Sequence, residues 1–125
     1  MLPPDLTISL YTADAVRRID RAAIDDCGVP GFELMQRAAD AAFATLRRRW
    51  PDARRIAVLA GSGNNGGDAL LVGRLAIEHG LDVDAFAMAD EPSGDAAHAR
   101  RAFIDAGGCV RALDASGELA KLVAA

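Results

Sequence analysis

At 125 residues the chain is long enough for one domain with a core of its own and too short for two ordinary ones. Its 51% hydrophobic and 26% charged residues exclude a disordered polymer, and a formal charge of −4 argues against a general binder of nucleic acid or acidic membranes, which works through a net positive field. Cys27 and Cys109 lie far apart with no C-x-x-C or Cys/His ligand spacing, which leaves out a disulfide framework and a zinc site and fits a reducing cytosol.

Residues 1–10 hold two prolines and no periodicity, and read as a lead-in. They carry no basic segment and no apolar core of a signal peptide, and no apolar run in the chain approaches the ~18 residues of a membrane span. A soluble, cytoplasmic protein is expected. Thr12 is a candidate N-cap for a first helix that sets Ala15, Val16, Ile19, Ala22 and Ala23 on one face and ends near Gly28. Gly28-Val29-Pro30-Gly31 is a turn by composition. A second helix follows, with Met35, Ala38, Ala39, Ala42 and Leu46 at helical spacing, and stops at Trp50-Pro51. Its small residues predict close packing on another helix or on a subunit. Arg47, Arg48, Arg49, Arg54 and Arg55 gather around that stop; they read as a solvated helix end, which the dipole favours, in preference to a phosphate or RNA site. Trp50 is expected to cap the apolar face.

From residue 56 the pattern alternates strand and helix. Ile56–Ala60 is a strand, Asp68–His79 a helix stopped by Gly80, and Val83 to Met88 a second strand ending in the turn Asp90-Glu91-Pro92-Ser93-Gly94. A helix over 95–106 turns Ala96, Ala99, Ala102, Phe103 and Ala106 inward, Gly107-Gly108 stops it, and 109–113 is a third short strand. Ser116 is a candidate cap for a last helix over 118–124. The fold class expected is α/β, a Rossmann-like three-layer αβα with a parallel sheet preceded by two helices. Residues 1–125 form one domain, with 11–50 its helical segment and 55–125 the first βαβ half of a mononucleotide-binding unit.

The chemistry is expected between β-strand and helix, in Gly61-Ser62-Gly63-Asn64-Asn65-Gly66-Gly67-Asp68. The glycines would allow positive φ and open backbone N–H groups at a helix N-terminus, where an anion is favoured, and Gly61, Gly63 and Gly66 satisfy G-x-G-x-x-G. A phosphate cradle needs no asparagine. Two carboxamides and a carboxylate add hard oxygen ligands for an alkali or alkaline-earth cation, or acceptors for a polar substrate. The opposing reading places Asn64 and Asn65 in left-handed turn positions with Asp68 as a helix cap, and requires no ligand. Asp90 or Glu91 stands about where a dinucleotide fold holds its ribose hydroxyls, though acids are common in such turns for local reasons.

This octapeptide resembles the G-x-G-N-N-G-G-D signature of the YjeF N-terminal domain family, the NAD(P)H-hydrate epimerases. Asp20-x-x-Ala23-Ile24, Gly28-Val29-Pro30, Leu34-Met35-x-x-Ala38, Arg74-Leu75 and Gly80 add matches in the same order, so that the resemblance covers about residues 10–113. It implies a dimeric Rossmann-like protein that interconverts the R and S epimers of hydrated NADH or NADPH for a stereospecific dehydratase, fused or separate. By that resemblance Asn64, Asn65, Gly66, Gly67 and Asp68 contact the hydrated nucleotide, and Asn65 is a ligand of a potassium ion. Ala69 stands where the family usually has another glycine, with little harm in a helix. The family continues with V-D-A-L-F-G-T-G-like and D-I-P-S-G-like segments that supply the proposed catalytic aspartate and the rest of the potassium shell. Residues 1–125 contain neither, so no catalytic residue is carried over and the chain reads as truncated, the N-terminal part of an epimerase or of a bifunctional enzyme. The alternative expectation is a binding or dimerisation module without catalysis.

Overall fold

The structure, a computed structural model, describes residues 10–88, 91–113 and 117–124. The chain divides into two compact units, Met1–Pro30 and Gly31–Ala125.

The described part of the first unit is built on α1 (Ala13–Asp25). Thr12 stays extended and its Oγ1 accepts from the Ala15 N–H at 3.1 Å, the N-cap geometry its position in the sequence predicts. None of the residues of α1 is buried: Val16 and Ile19 stand exposed on the apolar face, and Ile24, on another side of the helix, is exposed as well.

The second unit runs α2 (Gly31–Arg49), β1 (Arg55–Ala60), α3 (Asn64–Glu78), β2 (Asp82–Ala87), α4 (Gly94–Asp105), β3 (Val110–Ala112) and α5 (Glu118–Ala124). The strands pair in the order β1-β2-β3, all parallel, with Val58 opposite Ala85 and Ala85 opposite Val110. Parallel neighbours need crossovers, and α3 and α4 supply them. The architecture is the α/β, Rossmann-like class that the alternation of strand and helix predicts. Asp90 and Ser116 lie outside the described residues.

Three apolar clusters hold this unit. Val58, Ala60, Ala85 and Ala87 meet Leu70 and Phe103 between sheet and helices. Met35, Ala39, Leu71 and Ala99 join α2 to α3 and α4, and Phe43 of α2 packs with Ala76 and Leu81. Small residues make this approach possible: in α2, Ala39 is buried against Leu71 and Ala99, as the composition of that helix predicts, and in α3 a Cβ on Gly73 would sit 3.0 Å from the Phe103 ring and 3.2 Å from Val58. Gly80 ends α3 at φ +81, where its N–H donates to the Ile77 carbonyl and that of Leu81 donates to Ala76.

Trp50 departs from expectation. It is 59% exposed and caps no apolar face; instead the Arg49 guanidinium lies over its ring at 5.9 Å. The chain turns at Pro51, where the Ala53 N–H donates to the Trp50 carbonyl at 3.1 Å. Arg47, Arg48 and Arg49 are exposed around it, and Arg55 is taken up by Asp84 at 3.0 Å.

Candidate functional site

The loop after β1 is shorter than its composition suggests. Helix α3 begins at Asn64, not at Asp68, so four residues of poor helix propensity are drawn into its first turn. Packing overrides propensity here. Gly66 and Gly67 are buried, and a Cβ on Gly66 would lie 2.1 Å from the Gly61 carbonyl oxygen; one on Gly67 would lie 2.9 Å from Met35 and 3.1 Å from the Cα of Ala96. The positive φ expected of these glycines is absent: those with positive φ are Gly28, Gly80, Gly94, Gly107 and Gly117. In Gly66 and Gly67 the missing side chain serves close approach, bringing the helix start down onto the loop backbone and onto α2 and α4.

The same geometry differs from the left-handed, capped turn that the ligand-free reading expects. Among the described residues no non-glycine has positive φ, so Asn64 and Asn65 hold no left-handed turn position; they are the first two residues of α3 and both are exposed. Asp68 is the fifth residue, half-buried and past the first turn, and is not the N-cap. That place belongs to Gly63, extended at φ −102 and with no side chain to accept a hydrogen bond. A helix N-terminus without a side-chain cap leaves its first N–H groups to another acceptor. The Gly66 N–H already donates to the Gly63 carbonyl at 3.0 Å, which tightens the entry turn.

Residues Asn64 to Asp68 are therefore brought together, at the carboxyl ends of the strands, where open α/β sheets take their ligands. A shallow crevice of about 10 Å³ is lined by Gly61, Gly63, Gly66 and Gly67 together with Met88, Pro92 and Arg100. It holds no more than a water molecule, so any larger ligand would have to lie across it. Glu91, nominated for ribose hydroxyls, is exposed in the connection to α4. Arg100 was not singled out by sequence reasoning. The available signal was its position four residues after Ala96, which puts both on one face of α4.

The oxygen donors at the helix start are neutral carboxamides, and among the described residues no group of three or more His, Cys, Asp or Glu gathers as a metal cluster. Such donors suit a weakly charged hard cation better than a transition metal. Among the described residues no helix is long and apolar enough to cross a membrane.

The family model described as YjeF-related protein N-terminus matches residues 31–123. Among curated proteins, the chain is 44% identical over 112 residues to the bifunctional NAD(P)H-hydrate repair enzyme Nnr of Escherichia coli K12, a match covering 88% of this chain and 22% of that protein. It is 33% identical over 99 residues to the NAD(P)H-hydrate epimerase of Limosilactobacillus fermentum, covering 79% of this chain and 48% of that one. The crystal structure of yeast ynu0, YNL200c, superposes with a TM-score of 0.79 at 21% identity, covering 92% of this chain and 51% of the yeast chain. The chain thus spans about a fifth of the bifunctional relative and about half of the epimerase.

Proposed function

Since the chain belongs to the family of the YjeF-related protein N-terminus, we propose that it is the nucleotide-binding part of an NAD(P)H-hydrate epimerase. The observation that carries this reading is the buried Gly66-Gly67 contact, which fixes Asn64, Asn65 and Asp68 at an uncapped helix start over the ends of β1 and β2. Relatives named for NAD(P)H-hydrate repair are 44% identical to the chain over 112 residues and 47% over 77.

In this reading Asn64, Asn65, Gly66, Gly67 and Asp68 contact hydrated NADH or NADPH. The reacting carbon carries a hydroxyl beside the ring nitrogen. Loss of that hydroxyl gives a planar iminium and its return to either face erases the stereocentre, a path that fixed dipoles and an acid–base group accelerate. The N–H groups at the start of α3 are suited to hold an anionic part of the nucleotide, and the carboxamides to orient its polar ring. Asn65, with an exposed neutral oxygen, would hold a potassium ion, which when bound supplies a fixed positive charge. No group of this chain is assigned as the catalytic base.

The protein would act in the cytoplasm, as a homodimer, and hand its product to a dehydratase carried on the same polypeptide or on another. Support for association comes from Val16 and Ile19, exposed on one face of α1. The test is to mix the chain with one epimer of hydrated NADH in the presence of potassium and to follow the epimer ratio by chromatography. Conversion faster than the uncatalysed rate is expected, with Asn65→Ala lowering its dependence on potassium. A rate equal to the uncatalysed one overturns catalysis by this chain alone and favours the binding or dimerisation module, for which a monomer in sedimentation would then be the contrary result.

A further inference from the structure

We propose that Arg100 makes this site selective for a nucleotide with a phosphate on the 2′-carbon of its ribose, hydrated NADPH over hydrated NADH; the proposal rests on the functional reading above. The starting point is electrostatic. Among the described residues, the two other half-buried arginines are each paired with a carboxylate, Arg74 with Glu78 at 2.9 Å and Arg111 with Asp84 at 2.9 Å. Arginines such as Arg18, Arg21, Arg47 and Arg54, which pair with none, are exposed to water. Arg100 alone among the described arginines is half-buried with no carboxylate partner, while its neighbour Arg101 is exposed and paired with Asp105. A partly desolvated cation without a counter-charge is costly, and an anionic ligand removes that cost.

Its placement says which anion. Arg100 sits one turn after Ala96, the residue that touches Gly67, and lines the crevice with Met88 and Pro92. Helical side chains lean toward the N-terminus of their helix, so the stem of Arg100 runs past Ala96 toward the β2–α4 connection. In parallel α/β sheets that bind dinucleotides, the glycine turn after the first strand takes the pyrophosphate and the end of the second strand takes the ribose, where a nearby arginine accommodates a 2′-phosphate. Arg100 lies on α4, the helix that follows the second strand, and lines the crevice. A guanidinium meets a phosphate monoester through paired N–H donors, which a 2′-hydroxyl cannot match. The described carboxylates of this region are Glu91, exposed, and Asp95, one residue from Ala96 and turned off its face of α4.

The test compares adenosine 2′,5′-bisphosphate with adenosine 5′-monophosphate by calorimetric titration of the full chain at fixed salt. The bisphosphate should bind roughly tenfold more tightly, the size of one charge-assisted contact. Arg100→Gln should abolish that ratio, Arg100→Lys should keep part of it, and Arg101→Gln should leave it as it is; circular dichroism establishes that each variant is folded. Equal affinity for the two probes overturns the proposal, as does a ratio that survives Arg100→Gln or falls equally in Arg101→Gln. Binding of neither probe also overturns it. The epimerisation assay stands apart: turnover of hydrated NADPH without discrimination sinks only the role of Arg100, whereas loss of turnover with discrimination intact sinks only the catalytic reading.

Discussion

The two faces of the sheet solve the same problem by different means. On one face Ile56, Val58 and Ala60 of β1 line up with Val83, Ala85 and Ala87 of β2, and α3 and α4 cover them with Leu70 and Phe103. On the other face Arg55, Ala57 and Leu59 line up with Asp82, Asp84 and Phe86, and a ladder of charge crosses all three strands: Asp84 pairs with Arg55 at 3.0 Å and with Arg111 at 2.9 Å. The Arg111 guanidinium lies 5.2 Å from the Phe86 ring centroid, so the buried aromatic there has a cation beside it. Leu59, by contrast, is 54% exposed. The helix-covered face is purely apolar, whereas the other face combines the buried Phe86 with polar pairing across the strands.

The sharpest way to break this comparison is at Phe103, which is fully buried and which a side chain on Gly73 or Gly108 would strike. Phe103→Ala opens a cavity under both helices and should cost about 3–5 kcal/mol, a large part of the ~5–15 kcal/mol by which a domain is stable. Urea unfolding followed by circular dichroism reads this. A loss below ~1 kcal/mol would mean that the helices do not depend on the covered face.

A smaller effect is expected on the opposite side. Asp84→Asn removes the negative charge shared by two arginines and one of the two oxygens that accept from them, but all three side chains keep contact with water, Arg55 at 49% and Asp84 at 20% of full exposure. The loss should be about 1 kcal/mol and should shrink as salt is added, since exposed ion pairs are screened. The same unfolding curves at low and high salt decide it. A loss independent of salt would place the ladder in a drier environment than its exposure indicates.

Much of this arrangement can be read from the residues in advance, and what cannot has a physical reason. Thr12 caps α1 because the rule for an N-cap is local, and α5 spans the residues 118–124 expected of it. The start of α3 is not local: Asn64-Asn65-Gly66-Gly67 has weak helix propensity by itself, and only contact with Gly61, Met35 and Ala96 draws it into the helix. Met35 enters the sequence reading as one residue of an apolar stripe and the structure seats it against the glycine of the candidate site. Likewise Ala85, Phe86 and Ala87 are all buried, so the end of β2 shows no alternation by which its two faces could be told apart. In β1, which among the described residues pairs with β2 alone, the alternation is plain.

The smallest effect should come from Leu59, and it sharpens the comparison because Val58 beside it points the other way. Val58 is 5% exposed against the Gly73 and Phe103 contact, where a hydroxyl would be buried without a partner. Val58→Ser should therefore cost about 1–3 kcal/mol. Leu59→Ser moves a group that is already mostly in water and should change stability by no more than about 0.5 kcal/mol. Thermal unfolding of the two variants side by side measures the contrast between adjacent residues on one strand. Equal losses would mean that Leu59 is covered in solution, and that the second face of the sheet is packed as the first is.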